Sequence, residues 1–282
     1  MNARYRIDHR SAYQYAGSVS ASFNEARLTP LQTPWQLRLE STLAIDPVTW
    51  SCRYTDYWGT EVRAFEASQL HRALEVHATS VVEIDPARRP APRDLGWAEL
   101  RTDKVRDRFV EFLWQRPATR PAAEIADLAE SIAADLPPAE TAAHVSAAVH
   151  EAMTYMPGAT AVHTTAAEAW EERLGVCQDY AHLVVGALRQ TGLPARYVSG
   201  YLHPSAEPTV GETVRGESHA WVEFWLGEWR AYDPTNLAEV AERHVMVGCG
   251  RDYGDVPPIK GILAGERGTV SLDVTVDFTR LA

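Results

Sequence analysis

The run GVCQDYAHLVVGALRQTG, from Gly175 to Gly192, constrains this chain more than any other segment. Ala181, Leu183, Val184, Ala187 and Leu188 recur at helical spacing, and the run closes at Gly192 with Pro194 just beyond. The pattern predicts a largely buried helix that opens at Cys177. Unpaired amides and the positive end of the helix dipole at that terminus stabilise a thiolate, the nucleophilic form, over a thiol. Gly175 lets the backbone turn tightly into the helix. On its own, a free cysteine is most often a small buried hydrophobe, so its meaning depends on its partners.

Two later segments supply them. In SHAWVEFW, His219, Trp221 and Trp225 alternate with Ala220, Val222 and Phe224, which predicts a strand buried on both faces. A histidine early in such a strand is costly unless paired. With an ordinary pKa of about 6.5, an imidazole can take a thiol proton and return it to a leaving amine. A satisfied structural histidine is the bland alternative. GEWRAYDPTN follows across a short turn at Gly227, so the two strands read as a hairpin that brings His219 and Asp233 together. Asp233 can accept the other imidazole N–H and fix the tautomer. Alternatively it serves the Asp-Pro turn alone. In this order and context the three residues predict a triad: Cys177 as nucleophile, His219 as base and Asp233 as orienter.

These residues resemble the transglutaminase-like superfamily, the papain-related group that includes transglutaminases and bacterial cysteine peptidases. The resemblance is to bacterial members with an extra N-terminal β-domain, and it covers nearly the whole chain. YRIDHRSAYQY, FNEARLTP, DYWGTEV and QLHRALEVHATSVVEI carry it in the first part. GVCQDYAHLVVGALRQTGLPARYVSGYL, ESHAWVEFWLGEWRAYDPTN and HVMVGCGRDYGDVPPIKG carry it in the second. It implies an α+β protein, with an N-terminal antiparallel β-domain and a papain-like core whose nucleophile helix packs on an antiparallel sheet. It implies the same triad roles and calls for no cofactor. Animal transglutaminases usually place tryptophan just after the nucleophile, where this chain has Gln178, so glutamine–lysine crosslinking does not carry over automatically. The Cys177 N–H is one expected oxyanion donor. A second can come from Gln178 or from the YMPGAT loop around Tyr155.

The chain has 282 residues, room for one large or two smaller domains. Residues 1–85 read as a β-rich domain, 86–100 as a Pro-rich charged linker and 101–282 as the catalytic domain. Val76, Ala78, Ser80 and Val82 share one face of a strand, and DYWGTEV reads as a hairpin with Gly59 near its turn. The bland role for this β-domain is support, and the sharper one is shaping a substrate cleft. Helices are predicted from Thr102 through Leu113, over PAAEIADLAESIAADL and TAAHVSAAVHEAM, and after a Thr165–Glu168 capping box. HPSAEPTVGETVRGES reads as a surface loop beside the cleft, and TVSLDVTVDF as a half-exposed strand compatible with a sheet edge. In GRDYGDVPPIKG, Arg251, Asp252, Tyr253 and Asp255 are either substrate-binding residues or part of a salt-bridged turn. Trp221 is core or cleft wall, and is kept as a candidate substrate contact.

A net charge of −11 argues against nucleic acid as the main partner. No apolar run approaches the roughly 20 residues of a membrane helix, and the first residues show no signal-peptide pattern, so a cytoplasmic protein is expected. Cys52, Cys177 and Cys249 are scattered, which suits free thiols in a reducing compartment. Cys52 and Cys249 are expected to be buried and inert. Cys177, His182, His203 and His219 match no compact zinc spacing, so no metal site is expected. The implied substrate is a peptide or protein amide. Hydrolysis is favoured over transamidation or amide ligation, because nothing marks an amine site. A non-catalytic binding module on the same fold would have no need of the thiol.

Overall fold

The alternating run near the start of the chain forms one long strand, β1 (Ala3–Ala26), in which Ala3, Tyr5, Ile7, His9 and Ser11 are buried. Period-two burial of this kind marks a strand with one face on a core. The computed structural model describes residues 2–91, 93–266 and 270–282. After β1 come β2 (Gln36–Asp46), β3 (Trp50–Thr55), β4 (Glu61–Ala67) and β5 (His71–Ile84). Gly59 turns between β3 and β4 with φ of 84°, a conformation that favours glycine. The first half of β1 pairs with β5, and its last residues pair with β4.

The connection that follows holds a short 3-10 turn, Pro86–Arg88, and its Leu95 N–H donates to the Leu226 carbonyl. Pro92 lies outside the described residues. Three short helices come next: α1 (Trp97–Leu100), α2 (Asp103–Arg108) and α3 (Val110–Leu113). The single helix expected from Thr102 is thus broken at Phe109. The aromatic ring of Phe109 packs on Trp225 at 4.7 Å and Trp229 at 5.6 Å, contacts that its own segment does not encode. Thr102 stands at the cap position of α2, but its hydroxyl donates back to the Glu99 carbonyl instead.

α4 (Ala123–Asp135) and α5 (Pro138–Ala152) follow, then β6 (Thr154–Tyr155) and α6 (Ala166–Glu172). Thr165 and Glu168 form the capping box of α6 in both directions. β7 (Leu174–Gly175) pairs in parallel with β6 and leads directly into α7 (Cys177–Thr191). α7 is buried almost all round and ends at Gly192, with φ of 88°. Its close approach to its neighbours depends on Gly186, where a Cβ would fall 1.7 Å from the Thr119 carbonyl oxygen.

β8 (Ala195–Leu202), β9 (Thr213–Trp225), β10 (Trp229–Asp233), β11 (Ala238–Glu239) and β12 (His244–Gly250) build the sheet on which α7 rests. Ala195, Tyr197, Ala220, Val222 and Phe224 join the α7 residues in the main hydrophobic core. β9 is longer than expected. The polar segment before His219 is a loop only to Glu212, and from Thr213 it is strand.

β13 (Ile259–Gly265) and β14 (Val270–Arg280) return to the beginning of the chain. Thr269 lies outside the described residues. β14 is not an edge: it lies between β1 and β9, hydrogen-bonded to both. Its outer half is exposed as expected, but Val276 and Phe278 are buried. Gly216 makes the β9 pairing feasible, since a Cβ there would fall 2.4 Å from the Phe278 ring. The residues after 258, grouped on sequence grounds with the catalytic half, therefore complete the N-terminal sheet. One 12-stranded sheet runs through both halves. No helix among the described residues is long and apolar enough to cross a membrane.

Candidate active site

Cys177 is the first residue of α7. In that first turn, the amides of Cys177 and Gln178 have no intrahelical carbonyl to bond. The turn into the helix is held by Asp179, whose Oδ2 accepts the Val176 N–H at 2.8 Å and the Thr160 hydroxyl at 2.6 Å. Gly175 is required there, because a Cβ would meet Asp179 at 2.7 Å.

β9 carries His219 opposite Gly200 of β8. The hairpin to β10 brings Asp233 behind it, and the His219 Nε2 to Asp233 Oδ2 distance is 2.7 Å. Asp233 is wholly buried. Its Oδ2 also accepts from Asn236 Nδ2 at 2.8 Å and lies 3.2 Å from His244 Nε2. Its Oδ1 accepts the backbone N–H groups of Thr235 and Asn236. Burial alone would raise the Asp233 carboxyl, but the bonds from His219 and His244 outweigh it and hold the group well below the usual carboxylate range. With Nε2 committed to Asp233, Nδ1 is the nitrogen of His219 left for Cys177. Burial pushes the His219 imidazole down, but the hydrogen bonds with Asp233 and Cys177 overcome this and carry it up to about 10. The arrangement favours the protonated form of the His219 ring.

A cleft of about 280 Å³ opens over Cys177, Gln178 and His219. Tyr197 and Tyr253 line it from the C-terminal half, and His9, Ser11 and Tyr13 line it from β1. Gln178 is buried, and its Nε2 donates to the Val162 carbonyl at 3.3 Å. Tyr155 is set by the β6–β7 pair opposite Gly175. Its hydroxyl is pushed up to about 12 by burial and by the nearby Cys177. Trp221 does not line the cleft. It is buried on the His219 side of β9 among Val198, Met246 and Cys249, with its ring 5.3 Å from that of His244.

Arg251 and Asp252 are also outside the cleft lining. Arg251 grips Asp255 through two 2.9 Å bonds and lies over the Trp58 ring, while Asp252 pairs with Arg116 at 2.5 Å. They form the salt-bridged turn that was the alternative reading. Only Tyr253 of the four reaches the cleft. Its backbone N–H donates to His182 Nε2 at 3.0 Å, which needs a neutral imidazole, and burial lowers His182 to about 4.

His244 and Asn236 were not singled out on sequence grounds. The signal for His244 was present: it is a lone polar residue at the head of the apolar run VMVGCG, the same pattern that marked His219. Tyr197, His9 and Ser11 carry no local signal, because only the tertiary fold brings them to the cleft. His219 Nε2, Asp233 Oδ2 and His244 Nε2 lie within 4.8 Å of one another, a grouping that can suggest a metal. The 2.7 and 3.2 Å separations from the carboxylate oxygen are those of N–H donors to a shared acceptor. Around a tetrahedral zinc the ligand atoms would stand roughly 3.3 Å or more apart. Cys249 is buried, and burial raises its thiol to about 11. Cys52, expected to be buried, is only partly so on β3, a strand paired on one side.

Residues 126–234 match the transglutaminase-like superfamily core, and residues 5–83 match the bacterial transglutaminase-like N-terminal region. An uncharacterized protein of Mycobacterium leprae is 43% identical over 279 residues, 99% of each chain. One from Mycobacterium tuberculosis is 33% identical over 310 residues, covering 97% of this chain and 92% of that one. A protein-glutamine gamma-glutamyltransferase of Pseudomonas aeruginosa is 35% identical over 88 residues, 30% of this chain and 13% of the relative. In structure, a Cytophaga hutchinsonii protein provisionally described as a cysteine protease superposes with a TM-score of 0.79 at 20% identity. The match covers 100% of this chain and 92% of that one.

Proposed function

Because the chain belongs to the transglutaminase-like superfamily, we propose that it is a cysteine-dependent amidase or peptidase that hydrolyses a peptide or isopeptide bond through a thioester on Cys177. The observation that carries this reading is the 2.7 Å contact of His219 with a fully buried Asp233, which leaves Nδ1 of His219 for the thiol. His219 takes the Cys177 proton, and the thiolate adds to the amide carbonyl. The N–H groups at the start of α7 stabilise the oxyanion, with Tyr155 or the Gln178 amide as the second donor. The C–N bond breaks, the imidazolium protonates the nitrogen, and ammonia or an amine leaves. His219 then deprotonates a water, which attacks the thioester to release a carboxylic acid and restore the thiol. Asp233 holds the ring throughout and stays ionised.

An amine in place of water would make the same site a transamidase, and the short match to a gamma-glutamyltransferase supports keeping that reading. The two separate in one experiment. Peptide amides are incubated with the protein with and without an excess of a primary amine, and products are identified by mass. Hydrolysis unaffected by amine supports the amidase. Amide adducts as the main product would replace it with the transamidase, and no turnover with Cys177 intact would refute both. We place the protein in the cytoplasm, where three unpaired thiols are stable. Cell fractionation tests this directly.

A further inference from the structure

We propose that β1 forms the far wall of the cleft and that the cleft admits an uncharged acyl group, rejecting carboxylates most strongly. The inference deepens the amidase reading and rests on it only for calling the bound group acyl.

The wall follows from strand geometry. His9, Ser11 and Tyr13 are alternate residues of β1 and so share one face. Antiparallel pairing with β14 sets Val274 beside Ser11 and Leu272 beside Tyr13. All five line the same cleft as Cys177. None of the described lining residues is Asp, Glu, Lys or Arg.

The polar groups of the wall are tied to each other and carry no charge. His9 is buried, with Nδ1 2.9 Å from the Tyr201 hydroxyl and Nε2 3.0 Å from Ser11 Oγ. In the neutral ring one nitrogen donates to a hydroxyl oxygen and the other accepts from a hydroxyl, and burial lowers His9 to about 4, so the ring is neutral near neutral pH. The catalytic groups add the only strong charges. With one proton shared between Cys177 and His219, and Asp233 ionised, the triad sums to one negative charge. A carboxylate entering this space would lose its water, find no Lys or Arg among the described lining residues and face that net charge. An ammonium would be desolvated with no carboxylate among the described lining residues to receive it. The volume, about 280 Å³, is below the roughly 300–1,000 Å³ of pockets for drug-sized ligands, which suits one side chain and its carbonyl.

The test labels Cys177 of the intact chain with peptidyl chloromethyl ketones and reads the rate by mass spectrometry, so it needs no turnover. The residue before the ketone is glutamine or glutamate, and norleucine or lysine, two nearly isosteric pairs. Glutamine is expected to label at least about tenfold faster than glutamate, and norleucine faster than lysine. Equal rates within each pair would overturn the proposal. Val274→Lys places a cation in the wall at a residue 45% exposed, a position that tolerates it, and Leu272→Lys does the same at 51% exposure. Either is expected to move the glutamine-to-glutamate ratio about tenfold toward glutamate. An unchanged ratio in both would remove β14 and β1 from the wall. Selective labelling without hydrolysis of any amide would sink the amidase reading and leave the cleft's selectivity standing. Hydrolysis with unselective labelling would do the reverse.

Discussion

Asp233 accepts hydrogen bonds from His219, His244, Asn236 and two backbone amides while buried from solvent. Removing its charge should leave the ring of His219 in the wrong tautomer. Asp233→Asn is expected to lower kcat by on the order of 10⁴ with little change in KM. His244→Ala removes one longer bond to the same oxygen, and a loss of only about tenfold is expected. Equal losses for the two variants would mean that His244 is itself in the reaction path. The histidines also set a pH optimum for stability. His219 is raised to about 10, so its contribution is full below about 6.5 and is lost as pH rises through 10. His9 and His182 are lowered to about 4, so stability falls as pH drops from about 6.5 toward 4. The melting temperature should therefore peak near pH 6 to 7, with the alkaline limb flattened in His219→Ala and the acid limb flattened in His182→Gln. At this scale the sequence disclosed the residues whose neighbours announce them. Cys177 opens a visible helix, and His219 and Asp233 sit on a visible hairpin. His9 and Tyr197 reach the cleft by pairing across long sequence distances, which no local pattern records.

α7, β9 and β10 are legible as elements because each carries its own periodicity and its own stop. α6 is legible because its capping box is a local bond. The break at Phe109 and the central place of β14 are tertiary outcomes: one follows an aromatic contact and the other a glycine on the neighbouring strand β9. α7 depends on a further tertiary device. Buried Arg189 donates to the carbonyls of Ala195, Trp114 and Arg251 and to the Thr119 hydroxyl, tying the helix to the segments around it. Arg189→Met leaves these acceptors unpaired, so a loss of about 3 kcal/mol or more is expected. A urea melt should show this as a lower midpoint at unchanged slope. Gln190→Ala, at the exposed neighbouring position, should stay within about 0.5 kcal/mol of the parent. A similar effect at both positions would contradict the role given to Arg189.

The whole molecule is organised by a sheet that neither half completes alone. β14 joins β1 to β9, so unfolding the N-terminal strands strips a neighbour from the strand that carries His219. Calorimetry should show one cooperative transition with equal calorimetric and van't Hoff enthalpies. Two separate transitions would show that the halves are energetically independent despite the shared sheet. A division into domains near residue 85 follows the change from strands to helices along the chain, but the return of the last strands to β1 is invisible to composition. The proposed catalysis requires that this framework hold Cys177 against His219 in the resting protein. The most direct measurement is the pH dependence of iodoacetamide labelling of all three cysteines, mapped by mass spectrometry, in the parent and in His219→Ala. Rapid labelling of Cys177 at pH 6, ahead of Cys52 and Cys249 and lost in His219→Ala, is the predicted result. Labelling of Cys177 no faster than of Cys52, and unchanged in His219→Ala, would contradict an assembled triad.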